Sequence, residues 1–271
     1  MTSDISAAPA TPANAPASGP AATPGSGPAR IPGTRPGSAA LSPAGLAAHF
    51  PSVPGYLNAA TMGLPPIEVS AALRESLSAW ETGTLPPVAL DGTVNAARAA
   101  FARIVGVPSS EVAVGSQVSV LVGTVATGLP PGSEVLTVEG DFTSVVFPFL
   151  VQAGRGVRVR QVPLERLAEE VREDTSLIAY SLVQSADGRV ADSAAIGRAA
   201  DRVGALTLCD TSQAVGWLPV SAGAADITVC GTYKWLCTPR GVAFMTVGAR
   251  AGQSLTPVNA GWYAGECTGH R

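Results

Sequence analysis

Short runs rich in β-branched and other apolar residues recur along the chain at 112–114, 135–138, 157–162, 177–183, 205–209, 226–230 and 242–247. Each has the length of a strand, and most lack the in/out alternation of a strand with one wet face, so they predict buried parallel strands. Helix signals fall between them. Leu164, Leu167, Ala168 and Val171 follow Pro163 at helical spacing and predict a helix over 164–171. Asp192 caps a run that stops at Gly204. From Val112 to Gly132 no charge occurs, but Gly115, Ser116, Gln117, Ser119, Gly123, Thr124, Pro130 and Pro131 make this a poor membrane span. A buried strand followed by a buried helix fits it better. The alternation predicts an α/β fold with a mainly parallel seven-stranded sheet, helices on both faces and a site at the strands' C-terminal ends.

Residues 1–45 break this pattern. They consist mainly of Ala, Pro, Gly, Ser and Thr, with too little large apolar surface to offset the entropy of ordering them, and read as a disordered tail. The folded domain is expected over 46–271. With 46% hydrophobic residues the 271-residue chain can build one sizeable core. Its net charge of −3 leaves no footprint for nucleic acid or an anionic membrane. Cys209, Cys230, Cys237 and Cys267, with only His49 and His270, form no metal-binding spacing. Cys209 and Cys230 read as small buried hydrophobes, Cys237 is a candidate reactive thiol near the chain's lysine, and all four suit a reducing cytoplasm.

Of the 17 basic residues only Lys234 is lysine. A chain that otherwise spends arginine on positive charge has reason to keep one primary amine, because an amine forms an imine with an aldehyde and a guanidinium does not. A stray surface lysine is the alternative. The surroundings favour chemistry: the apolar run 205–209 ends in Asp210, Asp210-Thr-Ser-Gln213 forms a short turn, and Lys234 follows the next apolar run. Carboxylate, amide and amine can reach one sheet edge. Pyridoxal phosphate needs such a set: an amine for its aldehyde, a carboxylate to keep its ring nitrogen protonated, and backbone N–H groups for its phosphate.

Asp210-Thr-Ser-Gln213-Ala-Val-Gly216-Trp-Leu-Pro219, Asp226 and Tyr233-Lys234-Trp-Leu-Cys-Thr-Pro239-Arg240-Gly241 resemble the class V aminotransferases of pyridoxal phosphate fold type I. That family includes cysteine desulfurases, isopenicillin N epimerase-like proteins, kynureninases and C–S lyases. The resemblance runs from about Tyr56 to the C-terminus. It implies Lys234 as the Schiff-base lysine, Asp210 as partner of the pyridine nitrogen and Gln213 as hydrogen-bond partner of the phenolic oxygen. Gly115-Ser116-Gln117 matches the phosphate loop, with Ser116 and Gln117 in place of two threonines. Phe142 aligns with the residue that stacks on the ring, the alternative being a core aromatic. Thr232 is a further candidate for the phosphate and Asn58 for the substrate, although a loop Asn also bonds its own backbone. Gln184 reads as a solvated turn. Arg240 is assigned to the Pro-Arg-Gly turn and not to a ligand.

The resemblance also implies an amino-acid substrate, proton transfer by the freed lysine, and a homodimer. Transamination, epimerisation and elimination share those steps and stay open. Relatives continue into a small C-terminal domain, so the chain is expected to be a truncated large domain, either an enzyme or a cofactor-binding fragment without turnover.

Overall fold

The computed structural model describes residues 42–261. Its elements are α1 (Pro43–Ala47), α2 (Ile67–Glu81), α3 (Asp91–Val105), β1 (Val112–Gly115), α4 (Val118–Gly128), β2 (Glu134–Val138), α5 (Thr143–Leu150), β3 (Arg158–Val162), β4 (Thr175–Ser181), α6 (Ser193–Val203), β5 (Leu206–Asp210), β6 (Ile227–Gly231), β7 (Ala243–Val247) and α7 (Ala249–Gly252). Of the expected tail, residues 1–41 lie outside the described residues, as do Cys267 and His270. Ser42 caps α1 through the N–H of Gly45.

All seven apolar runs are strands of one sheet, in the order β1-β7-β6-β5-β4-β2-β3. Only β7 runs antiparallel to its neighbours, β1 and β6; the other pairs are parallel. The two-residue period of β4 feeds two cores. Leu177 and Ala179 join the cluster under α4 and α5, while Ile178 and Tyr180 join the one under α6. A third cluster packs Phe101 and Val105 of α3 on Cys230 and Phe244. Helices therefore cover both faces, and Cys209 and Cys230 are buried among apolar neighbours.

Asp192 accepts the N–H of Ala195 at the start of α6, and Gly204 ends it in the left-handed region. The expected helix over 164–171 is not there. A single 3₁₀ turn spans Leu164–Arg166, and the fully buried Leu167 drops into the core beyond it. The segment's far end is tied to β3, where the Arg160 guanidinium donates to the Glu170 carbonyl at 2.7 Å.

Arg160 also donates to the buried Glu134 carboxylate at 2.9 Å, beside the hydroxyl of Thr175 at 3.0 Å. Burial pushes the Glu134 carboxyl up, but the Arg160 and Thr175 hydrogen bonds outweigh it and hold the group below its usual 4.5. A depressed acid stabilises the fold above its unfolded pKa and loses that contribution as pH falls through the folded value. Arg160→Met strands a buried carboxylate, so a loss of about 3 kcal/mol is expected in urea unfolding at neutral pH, shrinking in acid. An equal deficit at pH 3 and pH 7 would refute the electrostatic origin.

Candidate active site

The sheet lays three chain exits side by side. Ala243, the first residue of β7, pairs with Gly115 at the end of β1 and with Gly231 at the end of β6. Ser116 follows directly from Gly115, the Tyr233-Lys234 loop leaves from Gly231, and Arg240-Gly241 leads into Ala243. Asp210 closes the parallel strand β5 beside β6. A cavity of about 340 Å³ opens here, lined by Ser116, Gln117, Val118, Phe142, Ser144, Asp210, Ser212, Tyr233, Lys234, Arg240, Gly241 and Val242. That lies within the size range of small-molecule sites.

Lys234 is buried, with 5% of its surface exposed, and its Nζ lies 5.1 Å from the centre of the Phe142 ring. Burial pulls its pKa below the ordinary 10.5, against the opposing charge of Asp210. A larger fraction is therefore a neutral amine with a free lone pair. Burial likewise raises the Asp210 carboxyl above 3.8, opposed by hydrogen bonds from Ser212 and the charge of Lys234. Ser212 fixes the carboxylate's direction: its N–H and O–H both donate to Asp210 Oδ1, at 2.8 and 2.6 Å, and its Oγ accepts the Gly231 N–H at 2.7 Å. The signal for Ser212 is the Asp-x-Ser spacing, which favours a side-chain bond to the backbone two residues on.

Ser116 and Gln117 lie at the N-terminus of α4, which no side chain caps. Unsatisfied N–H groups and the helix dipole favour an anion at such a point. Phe142 is 40% exposed on the cavity wall and is not a core aromatic. It is held by Asp141, a buried carboxylate that accepts from the N–H of Phe142 at 2.7 Å and from the N–H and hydroxyl of Ser181 at 2.8 and 2.5 Å. The sequence reading passed over Asp141, although it follows the end of β2 much as Asp210 ends β5.

Three candidates stand off the cavity. Gln213 donates to the Ala60 carbonyl and to Ser185 Oγ at 3.0 and 3.1 Å and accepts from the Trp235 indole at 2.9 Å, clasping the lysine loop from behind. The hydroxyl of Thr232 bonds Thr238 and the carbonyl of Val242 and staples the loop's base. Asn58 is exposed, and its carbonyl accepts the N–H groups of Thr61 and Met62. Gln184 forms a turn but is not solvated: it is 4% exposed and donates to the Ser181 carbonyl at 3.1 Å. Cys237 adopts φ +55° on the lysine loop, and burial raises its thiol's pKa, which favours the thiol over the thiolate.

Two glycines let the lysine loop sit this close. A Cβ on Gly63, whose N–H donates to the Tyr233 carbonyl at 2.8 Å, would lie 2.1 Å from the Lys234 carbonyl oxygen. One on Gly216, at φ +117°, would lie 2.7 Å from the Trp235 carbonyl oxygen. Gly216→Ala combines overlap with a backbone conformation that alanine resists, so a loss of about 2 kcal/mol or more is expected, read as a fall of about 5 °C in Tm. An unchanged Tm would show that the loop yields freely.

Against known proteins, residues 58–267 match the family model "Aminotransferase class-V". The uncharacterized aminotransferase YcbU of Bacillus subtilis is 29% identical over 179 residues, covering 63% of this chain and 48% of its own. A probable cysteine desulfurase of Methanothermobacter thermautotrophicus is 29% identical over 223 residues, covering 76% and 56%. Among solved structures, a C-DES variant with glycine covalently linked to its PLP cofactor superposes with a TM-score of 0.73 at 20% identity, covering 80% of this chain and 63% of that one. The chain spans about half the length of the curated relatives it matches. Among the described residues no helix is long and apolar enough to cross a membrane.

Proposed function

The chain belongs to the class-V aminotransferases, a pyridoxal phosphate family, and from that premise we propose that it is a pyridoxal phosphate-dependent enzyme acting on an amino acid, with Lys234 as its reactive amine. One observation carries the reading: a buried amine beside the exposed face of Phe142, in a cavity that also holds Asp210 and the uncapped start of α4. When bound, the cofactor supplies an aldehyde for amino groups and a ring that accepts electrons from the substrate. In this chain Asp210 would hold the ring nitrogen, Phe142 the ring face, and Ser116, Gln117 and the α4 N–H groups the phosphate. Gln213 and Thr232 position the loop that carries the amine.

Lys234 Nζ, whose neutral form is favoured by burial, would take the proton from the substrate carbon that bears the amino group and could return it elsewhere. Phe142 has no ionisable group, so proton movement on that wall falls to Lys234. The Asp210 carboxylate, aimed by Ser212, favours positive charge opposite it. Aminotransfer, C–S lysis and epimerisation all begin with these acts.

Mixing the purified chain with pyridoxal phosphate should give a visible absorption band, and borohydride should fix the label on the peptide bearing Lys234. Labelling elsewhere, or none, sinks the assignment. A shift of the band on adding amino acids separates an enzyme from an inert carrier.

The same reading includes a homodimer, supported by α2. This helix buries none of its residues and presents Leu73, Leu77 and Trp80 on one face, 50%, 50% and 71% exposed. Sedimentation is expected to give a dimer that Leu77→Glu with Trp80→Glu converts to monomer. A wild-type monomer at micromolar concentration would count against it.

A further inference from the structure

Arg240 lines the cavity from the turn that leads into β7, opposite Ser116. Its guanidinium carbon sits 4.8 Å from the centre of the Tyr233 ring, and among the described residues no carboxylate pairs with it. Stacking on an aromatic face orients the planar fork without using its N–H donors. The chain thus presents five donors and a full positive charge at the edge where Ser116 and the uncapped α4 also offer donors. Ala243 pairing with both Gly115 and Gly231 sets all three segments side by side.

From this geometry we infer that Arg240 is the cavity's oxyanion-binding residue, completing with Ser116 and the start of α4 a subsite for a phosphate ester or a carboxylate, a role that rests on the cofactor reading above. Two ligands carry that chemistry here, the cofactor's phosphate and the substrate's carboxylate. The proximity of Ser116 and α4 favours the phosphate. Burial is the main cause that lowers the Lys234 pKa, and the charge of Arg240 adds to it in the same direction.

The full chain, wild type and Arg240→Gln, is titrated with pyridoxal phosphate, with pyridoxal, and with inorganic phosphate. Arg240 is exposed, so the variant should fold, and matching thermal unfolding checks this. Arg240→Gln is expected to weaken pyridoxal phosphate about tenfold or more while pyridoxal binds as before, with partial rescue in Arg240→Lys. If pyridoxal phosphate is unaffected but the loaded variant loses its preference for an amino acid over the corresponding amide, the oxyanion role stands with the carboxylate as its ligand. Equal affinities of wild type and variant for all these probes overturn the role. If the wild type takes neither aldehyde, the cofactor reading fails by itself. Arg240 then stands or falls on whether inorganic phosphate binds and is lost in Arg240→Gln.

Discussion

Lys234→Ala is expected to abolish borohydride-fixed labelling and to lower any turnover by about 10³-fold or more, since it removes both the covalent attachment point and the group that moves the proton. Lys234→Arg should fare no better. It keeps the charge that the rest of this chain entrusts to arginine, yet a guanidinium neither condenses with an aldehyde nor gives up a proton near neutral pH. If Lys234→Arg retained labelling or turnover, the amine would not be the reactive group.

The same residue has a stability signature independent of catalysis. Its folded-state pKa lies below 10.5, so the unfolded chain binds that proton more tightly and stability rises with pH through the window between the two values. In cofactor-free protein Lys234→Met, of similar length, is expected to unfold at higher urea than wild type near neutral pH. The advantage should fade as pH climbs past 10.5. A reactive lysine buried at a cost to the fold is the kind of strain that functional sites retain.

What could be read ahead of the structure was what depends on local pattern. Seven apolar runs became seven strands because burial on both faces leaves a mark in composition, and α6 was bracketed by Asp192 and Gly204, whose capping is local. The helix over 164–171 shrinks to one 3₁₀ turn, with Leu167 buried in the core under α6 and the Glu170 carbonyl bonded by Arg160 of β3. No periodicity reports such a contact. The helix α2 went unmarked although Leu73, Leu77 and Trp80 recur at helical spacing, because no side-chain cap signals its start at Pro66.

The site divides in the same way. Lys234 and Asp210 were legible from residue chemistry at strand ends. The geometry around Gln213 was not, because its amide bonds Ala60, Ser185 and Trp235, far apart in sequence and joined only by tertiary packing. Arg240 reaches the cavity through the antiparallel entry of β7 beside β1, a pairing that the mainly parallel expectation did not specify.

Asp210→Asn preserves shape and leaves an oxygen for the Ser212 donors, but removes the buried negative charge. Pyridoxal phosphate should still label Lys234, whereas turnover should drop by about 10²-fold or more because the ring loses the partner that keeps its nitrogen protonated. Stability should move the other way. Burial raises the Asp210 pKa, so the folded protein holds that proton to higher pH than the unfolded chain, and stability declines as pH rises from 3.8 through the folded value. Asp210→Asn abolishes this decline, so the cofactor-free variant should be more stable than wild type at neutral pH and equal to it in acid below 3.8. Loss of activity with a gain in stability would mark Asp210 as a group kept for chemistry. Loss of both would instead make it a structural anchor of the β5 tip, and the assignment to the ring nitrogen would fall.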